Sequence, residues 1–268
     1  MPTITKITTQ IKRKDRYNIF LDAEYAFSVD EDILVKYKLK KGLELNAKHI
    51  IDLLEAESLQ QSYVLAIGYL SYRQRSQVEI ERHLYKKEID PAHIEVVINR
   101  LDKEKLIDDL QFAKSFVRER IRQKKKGPQM IKKELFEKGV SKNNADEAVK
   151  LMTFNDQYEA ALEFAQKRAD RPKKESVKKR EQQIKSALMQ RGYDSDVISE
   201  VMQAVDMEEN KDDEWDAIKH HGEKLYRRYS QKTSGYELRQ KLMSALYTRG
   251  FKGEQVNQFI DEIMTNEE

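Results

Sequence analysis

From Arg118 to Lys126 the chain reads Arg-Glu-Arg-Ile-Arg-Gln-Lys-Lys-Lys, six cations in nine residues. On a helix Arg118 and Arg122 share one face at i, i+4, while Lys124, Lys125 and Lys126 crown the C-terminal end. Such a row suits phosphate oxygens or an acidic protein surface, and each phosphate neutralised would make affinity fall with salt. The competing reading is a solvated helix end whose lysines complement the negative end of the dipole. The imbalance extends further: Lys114 to Lys142 holds eleven basic and three acidic residues, and Lys167 to Arg191 holds ten and three. Asp206 to Asp216 reverses it, with seven acidic residues and one lysine. The whole chain has 50 Lys+Arg against 47 Asp+Glu, so this segregation, not the total, creates a field for a polyanionic or oppositely patterned partner. Lys132 belongs to the same stretch, and Arg73, Arg75, Arg82, Lys86 and Lys87 would continue it upstream as a stripe. Tyr72, Tyr85 and Tyr229 stand beside basic residues and are the candidates for base stacking. Arg171-Pro172-Lys173-Lys174 reads as an exposed linker.

Other chemistries lack their residues. There is no cysteine, hence no disulfide, thiolate metal site or cysteine nucleophile. His83 and His93 fall on different helices, adjacent His220 and His221 point about 100° apart on a helix, and His49 stands alone. No metal site is expected from them, and no cofactor. Asp108-Asp109 opens a helix, where aspartate caps free N–H groups, so capping is preferred over acid–base work. Phosphate-cradling glycine loops and nucleophile elbows are missing, so nothing proposes an enzyme. Met1 to Lys6 has no apolar core of a signal peptide, and the longest apolar run, Tyr63 to Leu70, is far short of the ~20 residues that span a bilayer. A cytoplasmic protein without membrane contact is expected.

The elements that must hold the cations come in two kinds. Residues 3–11 and 17–29 are rich in Ile, Thr, Tyr, Phe and Val with a period near two, and Leu21 to Tyr25 reads as a turn, so a small sheet is predicted. A short helix over Glu31 to Tyr37, a Lys41-Gly42 turn and a helix from about Ala47 follow. From residue 57 the pattern repeats. Leu84, Leu135, Leu188 and Leu246 stand 51, 53 and 58 residues apart. Ile80, Ile131, Ile184 and Leu242 lie four before them, and Ile89, Val140, Tyr193 and Phe251 five after. Ile94, Ala145, Ile198 and Val256 follow at ten, and Leu101, Met152, Val205 and Ile263 at seventeen. Lys138-Gly139, Arg191-Gly192 and Arg249-Gly250 read as helix stops, because glycine takes the left-handed cap and a cation suits the helix end. Lys87-Glu88 departs, so a less regular cap is expected there. Asp90-Pro91 starts a helix in the first copy, and Ser141 or Asn143 in the second.

A longer helix precedes each pair, at Leu59–Tyr72, Asp109–Lys125, Asp156–Arg168 and Glu214–Ser230, giving four three-helix units and about twelve helices. Units of ~50 residues bury one face poorly alone and gain by stacking. The fold class is therefore mainly α: tandem three-helix repeats stacked into an elongated curved array, after a small β-containing N-terminal domain. The boundaries read as 1–56 for that domain, then 57–106, 107–153, 154–206 and 207–268 for the repeats. No heptad seam is visible, and a monomer is expected.

The tract Asp108-Asp109-Leu110-Gln111-Phe112-Ala113, then Phe116-Val117-Arg118 and Arg120, resembles the central signature of the RecX family. Lys126-Gly127-Pro128, Ile131, Glu134-Leu135 and Lys138-Gly139-Val140 continue the likeness. Leu70-Ser71-Tyr72-Arg73-Gln74-Arg75-Ser76 is similar to the opening of the family's first repeat. The likeness is dense over about residues 60–153, and the β-containing start and extra C-terminal copies resemble longer members from low-GC Gram-positive bacteria. The sequence departs at Glu88, where the first repeat usually has glycine, and at Lys105. The resemblance implies a non-enzymatic modulator built of three-helix repeats that binds the RecA–DNA filament and inhibits recombinase and coprotease activity from the filament groove. It also implies direct DNA binding in some members, and single-stranded DNA is a candidate partner. The twelve cations Arg73, Arg75, Arg82, Lys86, Lys87, Arg118, Arg120, Arg122, Lys124, Lys125, Lys126 and Lys132 are then the expected contacts to RecA or DNA.

Overall fold

A computed structural model describes residues 1–170, 175–206 and 211–265. The linker read at 171–174 lies outside the described residues, as do Glu208 and Glu209 of the acidic stretch. Three strands, β1 (Ile4–Thr9), β2 (Arg16–Leu21) and β3 (Glu24–Asp30), form an antiparallel sheet in chain order. The β2–β3 turn needs two left-handed residues, and Asp22 (φ 48°) and Ala23 (φ 75°) supply them. Strand β1 and the residue before it hold that turn in place: the Thr3 N–H donates to Asp22 Oδ1, and the Ala23 N–H donates to Thr5 Oγ1, both at 2.9 Å.

One face of the sheet buries Ile4, Ile19, Phe27 and Val29 against Ile33, Leu39, Leu45 and Leu53. Ile33 belongs to α1 (Glu31–Lys36) and Leu53 to α2 (Ala47–Leu70). Helix α2 starts at an Asn46 cap and continues for 24 residues, roughly 36 Å. It runs across the position where the sequence reading ends the first domain, because nothing in it breaks a helix. Its first half lies on the sheet, and its second half buries Ala66 with the first repeat. An ion pair of Arg16 with Glu57 (2.8 Å), with side chains 10% and 5% exposed, joins the sheet to mid-helix. Glu57 also accepts the Asp30 N–H at 2.7 Å, so the buried carboxylate is fully engaged.

The repeats follow as α3 (Gln77–Lys86) and α4 (Pro91–Lys103); α5 (Asp109–Gln123), α6 (Pro128–Glu137) and α7 (Lys142–Val149); α8 (Phe154–Ala169), α9 (Val177–Gln190) and α10 (Ser195–Ala204); and α11 (Lys211–Tyr229), α12 (Gly235–Thr248) and α13 (Gly253–Thr265). The described residues thus form thirteen helices, twelve of them in the four triplets once α2 is counted. Leu84, Leu135, Leu188 and Leu246 are all 0% exposed. Burial of each stabilises by roughly 1.5–3 kcal/mol. Ser76, Asp90, Ser141, Thr153 and Ser176 cap their helices by accepting backbone N–H groups. Of the two candidates in the second copy, Ser141 is the cap.

The chain divides into two compact units: Met1–Ala113 with Leu135–Ala145, and Lys114–Glu134 with Asp146–Glu268. Within each unit, neighbouring repeats meet at the same kind of joint. In the first, the Ser76 hydroxyl at the start of α3 donates to the Lys138 carbonyl at 2.6 Å. In the second, the Gly127 N–H donates to the Arg191 carbonyl at 2.8 Å, and the Ser176 hydroxyl to the Arg249 carbonyl at 2.6 Å. Each acceptor is the basic residue just before the stop glycine. A helix start of one repeat therefore presses on the stop turn of the next. A Cβ on Gly139 would lie 2.3 Å from Val78, and one on Gly192 would lie 2.4 Å from the Met130 backbone nitrogen. Glycine is needed there for space as well as for φ.

The first repeat corrects one expectation. Its stop turn is as regular as the others: Glu88 takes φ 60°, its N–H donates to Tyr85, and the Ile89 N–H donates to Leu84. The glycine turns repeat this pattern, for example Gly192 to Met189 and Tyr193 to Leu188. Lys105, the second departure from the family pattern, also adopts a left-handed φ, 55°.

Candidate functional site

The long basic tract sorts itself by helix geometry. Arg118 and Arg122 stay on one exposed face of α5, as their spacing requires. Arg120 points elsewhere: its guanidinium lies 4.2 Å from the Phe116 ring centre, and its Nε donates to Glu134 at 2.8 Å. Lys126 also donates to Glu134. Burial alone would raise the Glu134 carboxyl, but the hydrogen bonds from Lys126 and Arg120 outweigh it and hold it below the usual carboxylate range. Lys132 pairs with Asp146 at 2.8 Å, and Lys124 with Glu159 at 3.4 Å. The Lys124 pair is about half exposed on both sides and worth little, so an incoming anion can displace it.

Past α5 the chain bends at Lys124, which has φ 49°. Arg191 then pins the bend: it stacks 3.8 Å from the Phe164 ring centre and donates to the Lys125 carbonyl at 2.8 Å. The Lys125 side chain is exposed on a backbone held from beneath. Among the described residues, Arg118, Arg122 and Lys125 have no ion pair.

In the first unit the cations of repeat one are also mostly engaged. Arg73 grips both oxygens of Glu79 at 3.1 and 3.2 Å, and Lys138 reaches the same carboxylate at 2.9 Å. Burial opposes ionisation of Glu79, yet those two cations hold its pKa down. Arg82 donates to the Glu137 carbonyl at 3.0 Å. The Arg75 guanidinium sits 3.8 Å from the Tyr69 ring centre and donates to its hydroxyl at 2.9 Å. His83 stacks parallel at the same 3.8 Å, which only the opposite ring face allows. Burial, then Lys87, Arg75 and Lys86, lowers the His83 pKa. Lys86 and Lys87 are exposed and, among the described residues, without an ion pair. The stacking candidates divide likewise: Tyr72 is 85% and Tyr85 55% exposed, whereas Tyr229 packs on a core.

Of the twelve cations read from sequence, seven bind partners within their own unit, and Lys86, Lys87, Arg118, Arg122 and Lys125 face solvent. Sequence reasoning missed the joints made by Ser76, Ser176 and Gly127, which link residues 60 or more apart, and the carboxylates that neutralise the cations. Recurrence of a glycine after the basic residue was their only trace. Asp108 caps its own helix through the Gln111 N–H, and Asp109 accepts the Gln77 N–H at the start of α3. No metal-ligand cluster occurs among the described residues, and no helix among them is long and apolar enough to cross a membrane.

Known families match this arrangement domain by domain. The model of the regulatory protein RecX N-terminal domain matches residues 2–46, and the first and second RecX three-helix domains match 63–101 and 108–149. The third three-helix domain matches twice, at 155–202 and 212–260. The chain belongs to the RecX family. A regulatory protein RecX of Oceanobacillus iheyensis is 46% identical over the full length of both chains. That of Bacillus subtilis (strain 168) is 39% identical over 98% of this chain and 99% of its own. A crystal structure titled regulatory protein RecX superposes with TM-score 0.70 at 34% identity, covering 76% of this chain and all of that one. A RecX structure from Lactobacillus salivarius gives TM-score 0.54 over 57% of this chain and 99% of that one, also at 34% identity. A regulatory role of the RecX type follows from this kinship, and the doubled third match explains the fourth repeat.

Proposed function

We propose that this chain binds the RecA–DNA filament in the cytoplasm and lowers RecA's recombinase and coprotease activities without catalysis of its own. It would lie in the filament groove and contact it through its basic face. The observation that carries the reading is the exposed trio Arg118, Arg122 and Lys125, two on helix α5 and the third on a backbone carbonyl that Arg191 holds in place. Three unpaired cations on a fixed support attract phosphate or carboxylate without first breaking internal pairs. RecX kinship supports RecA as the partner. The test is RecA's ATP hydrolysis and strand exchange on single-stranded DNA, with wild type and an Arg118→Glu, Arg122→Glu, Lys125→Glu variant. Inhibition should fall at least tenfold in the variant while helicity is kept; unchanged inhibition removes this patch as the contact. Arg120 is left alone because its loss would strand Glu134.

A second reading, autonomous binding of single-stranded DNA in competition with RecA, draws on exposed Tyr72 and Tyr85 beside Arg73 and Lys86. It requires tight, salt-steep binding of a labelled oligonucleotide without RecA, and the same preparations decide it.

A further inference from the structure

One position of every repeat breaks the usual rule for a helix surface. Directly after each fully buried leucine stands a large apolar side chain turned to solvent: Tyr85 (55% exposed), Phe136 (46%), Met189 (62%) and Tyr247 (43%). Single exposed apolar residues are ordinary on a protein surface, but equivalent ones in all four copies are not. No other exposed large apolar residue among those described recurs in this way. The burial of the leucine explains the geometry, since the next residue on a helix lies about 100° round and leaves the core. It does not explain why that residue is large and uncharged in every copy.

We propose that these four side chains form a repeated set of apolar knobs that seat in recesses of a repeating protein partner. Three observations define that partner. The position keeps size and apolarity but not a ring, because Met189 stands where the others are aromatic; that pattern favours packing into apolar recesses over stacking on bases. A cation lies one helical turn before the knob in three repeats, as Arg82, Lys133 and Lys185, so the recess should carry an acidic rim. Finally, each unit presents two knobs across the same serine-to-carbonyl joint: Tyr85 and Phe136 across Ser76–Lys138, Met189 and Tyr247 across Ser176–Arg249. A partner that offers one such recess per repeating site matches a knob that recurs in every repeat; a single compact domain would not need it. The inference rests on the filament reading above, and it assigns to that contact an apolar component distinct from the cation trio.

The test replaces the knobs with glutamine, singly (Tyr85→Gln, Phe136→Gln, Met189→Gln, Tyr247→Gln) and all together. Exposed sites of this kind tolerate a polar helix former, and circular dichroism checks that helicity is unchanged. Binding is measured by co-sedimentation with preformed RecA–DNA filaments. Each single change should weaken binding about threefold, and the quadruple about a hundredfold, since contacts to one partner multiply. A quadruple variant that binds like wild type, while the Arg118/Arg122/Lys125 variant does not, overturns the knobs and leaves the filament reading standing. A wild-type chain that fails to bind filaments overturns both. Sedimentation equilibrium of the chain alone covers the other occupant: a wild-type dimer that the quadruple variant dissolves would make the knobs a self-association surface and overturn the proposal.

Discussion

The stop turn of repeat one, Lys87-Glu88, and that of repeat three, Arg191-Gly192, have the same backbone and different sequences. Both place a left-handed residue after the helix, at φ 60° and 81°, and both return the same two N–H groups to the helix end. Glu88 is exposed, whereas Gly192 lies under the start of α6, whose Gln129 N–H donates to its carbonyl at 3.0 Å. Backbone conformation alone thus tolerates glutamate at a modest cost, on the order of 1–2 kcal/mol. What demands glycine is a neighbouring repeat. The stop turn is a local cap in the first copy and a docking surface in the later ones, which is why glycine is missing from only the first.

Four substitutions, one of them a control, sharpen the contrast. Gly192→Ala should have the largest effect: the methyl would lie 2.4 Å from the Met130 nitrogen, atoms that cannot move without shifting α6. A loss of about 3 kcal/mol is expected from overpacking plus left-handed strain, read as a lower urea midpoint by circular dichroism. A loss below about 1 kcal/mol would mean the joint is looser than drawn. Ser76→Ala comes next, at about 2 kcal/mol, because one hydroxyl both caps α3 through the Glu79 N–H and satisfies the Lys138 carbonyl. Ser141→Ala, which removes only a 3.3 Å cap, is the control and should cost under half as much. Glu88→Gly should go the other way, raising stability by about 0.5 kcal/mol, since the φ is relieved and no contact is lost. Destabilisation there would show that the glutamate side chain holds something in place.

Much of the fold was legible in the residues themselves. The leucine landmarks, their partners four before and ten after, the caps at Asp90 and Ser141 and the sheet with its Asp22-Ala23 turn all depend on neighbours a few positions away. The candidate site was legible only in part. The i, i+4 pair Arg118 and Arg122 stayed together on an exposed face because helix geometry compels it. Arg120, two residues along, has no such rule to follow, and its partner Glu134 is reached only when α6 folds back. Lys124 and Glu159 are 35 positions apart, and Ser76 and Lys138 are 62.

The amino-acid order by itself determined which segments are helix or strand, where they start and stop, and that one triplet pattern recurs four times. Hydrogen-bond ladders, caps and apolar periodicity act over four or five residues, so the chain carries them without reference to the rest. Tertiary structure alone decided which cations are spent on internal partners and which face solvent. It also decided why glycine ends three second helices but not the first. Those outcomes depend on groups brought within 3 Å of each other from distant positions, and a charge or a missing Cβ says nothing of its partner until packing supplies one.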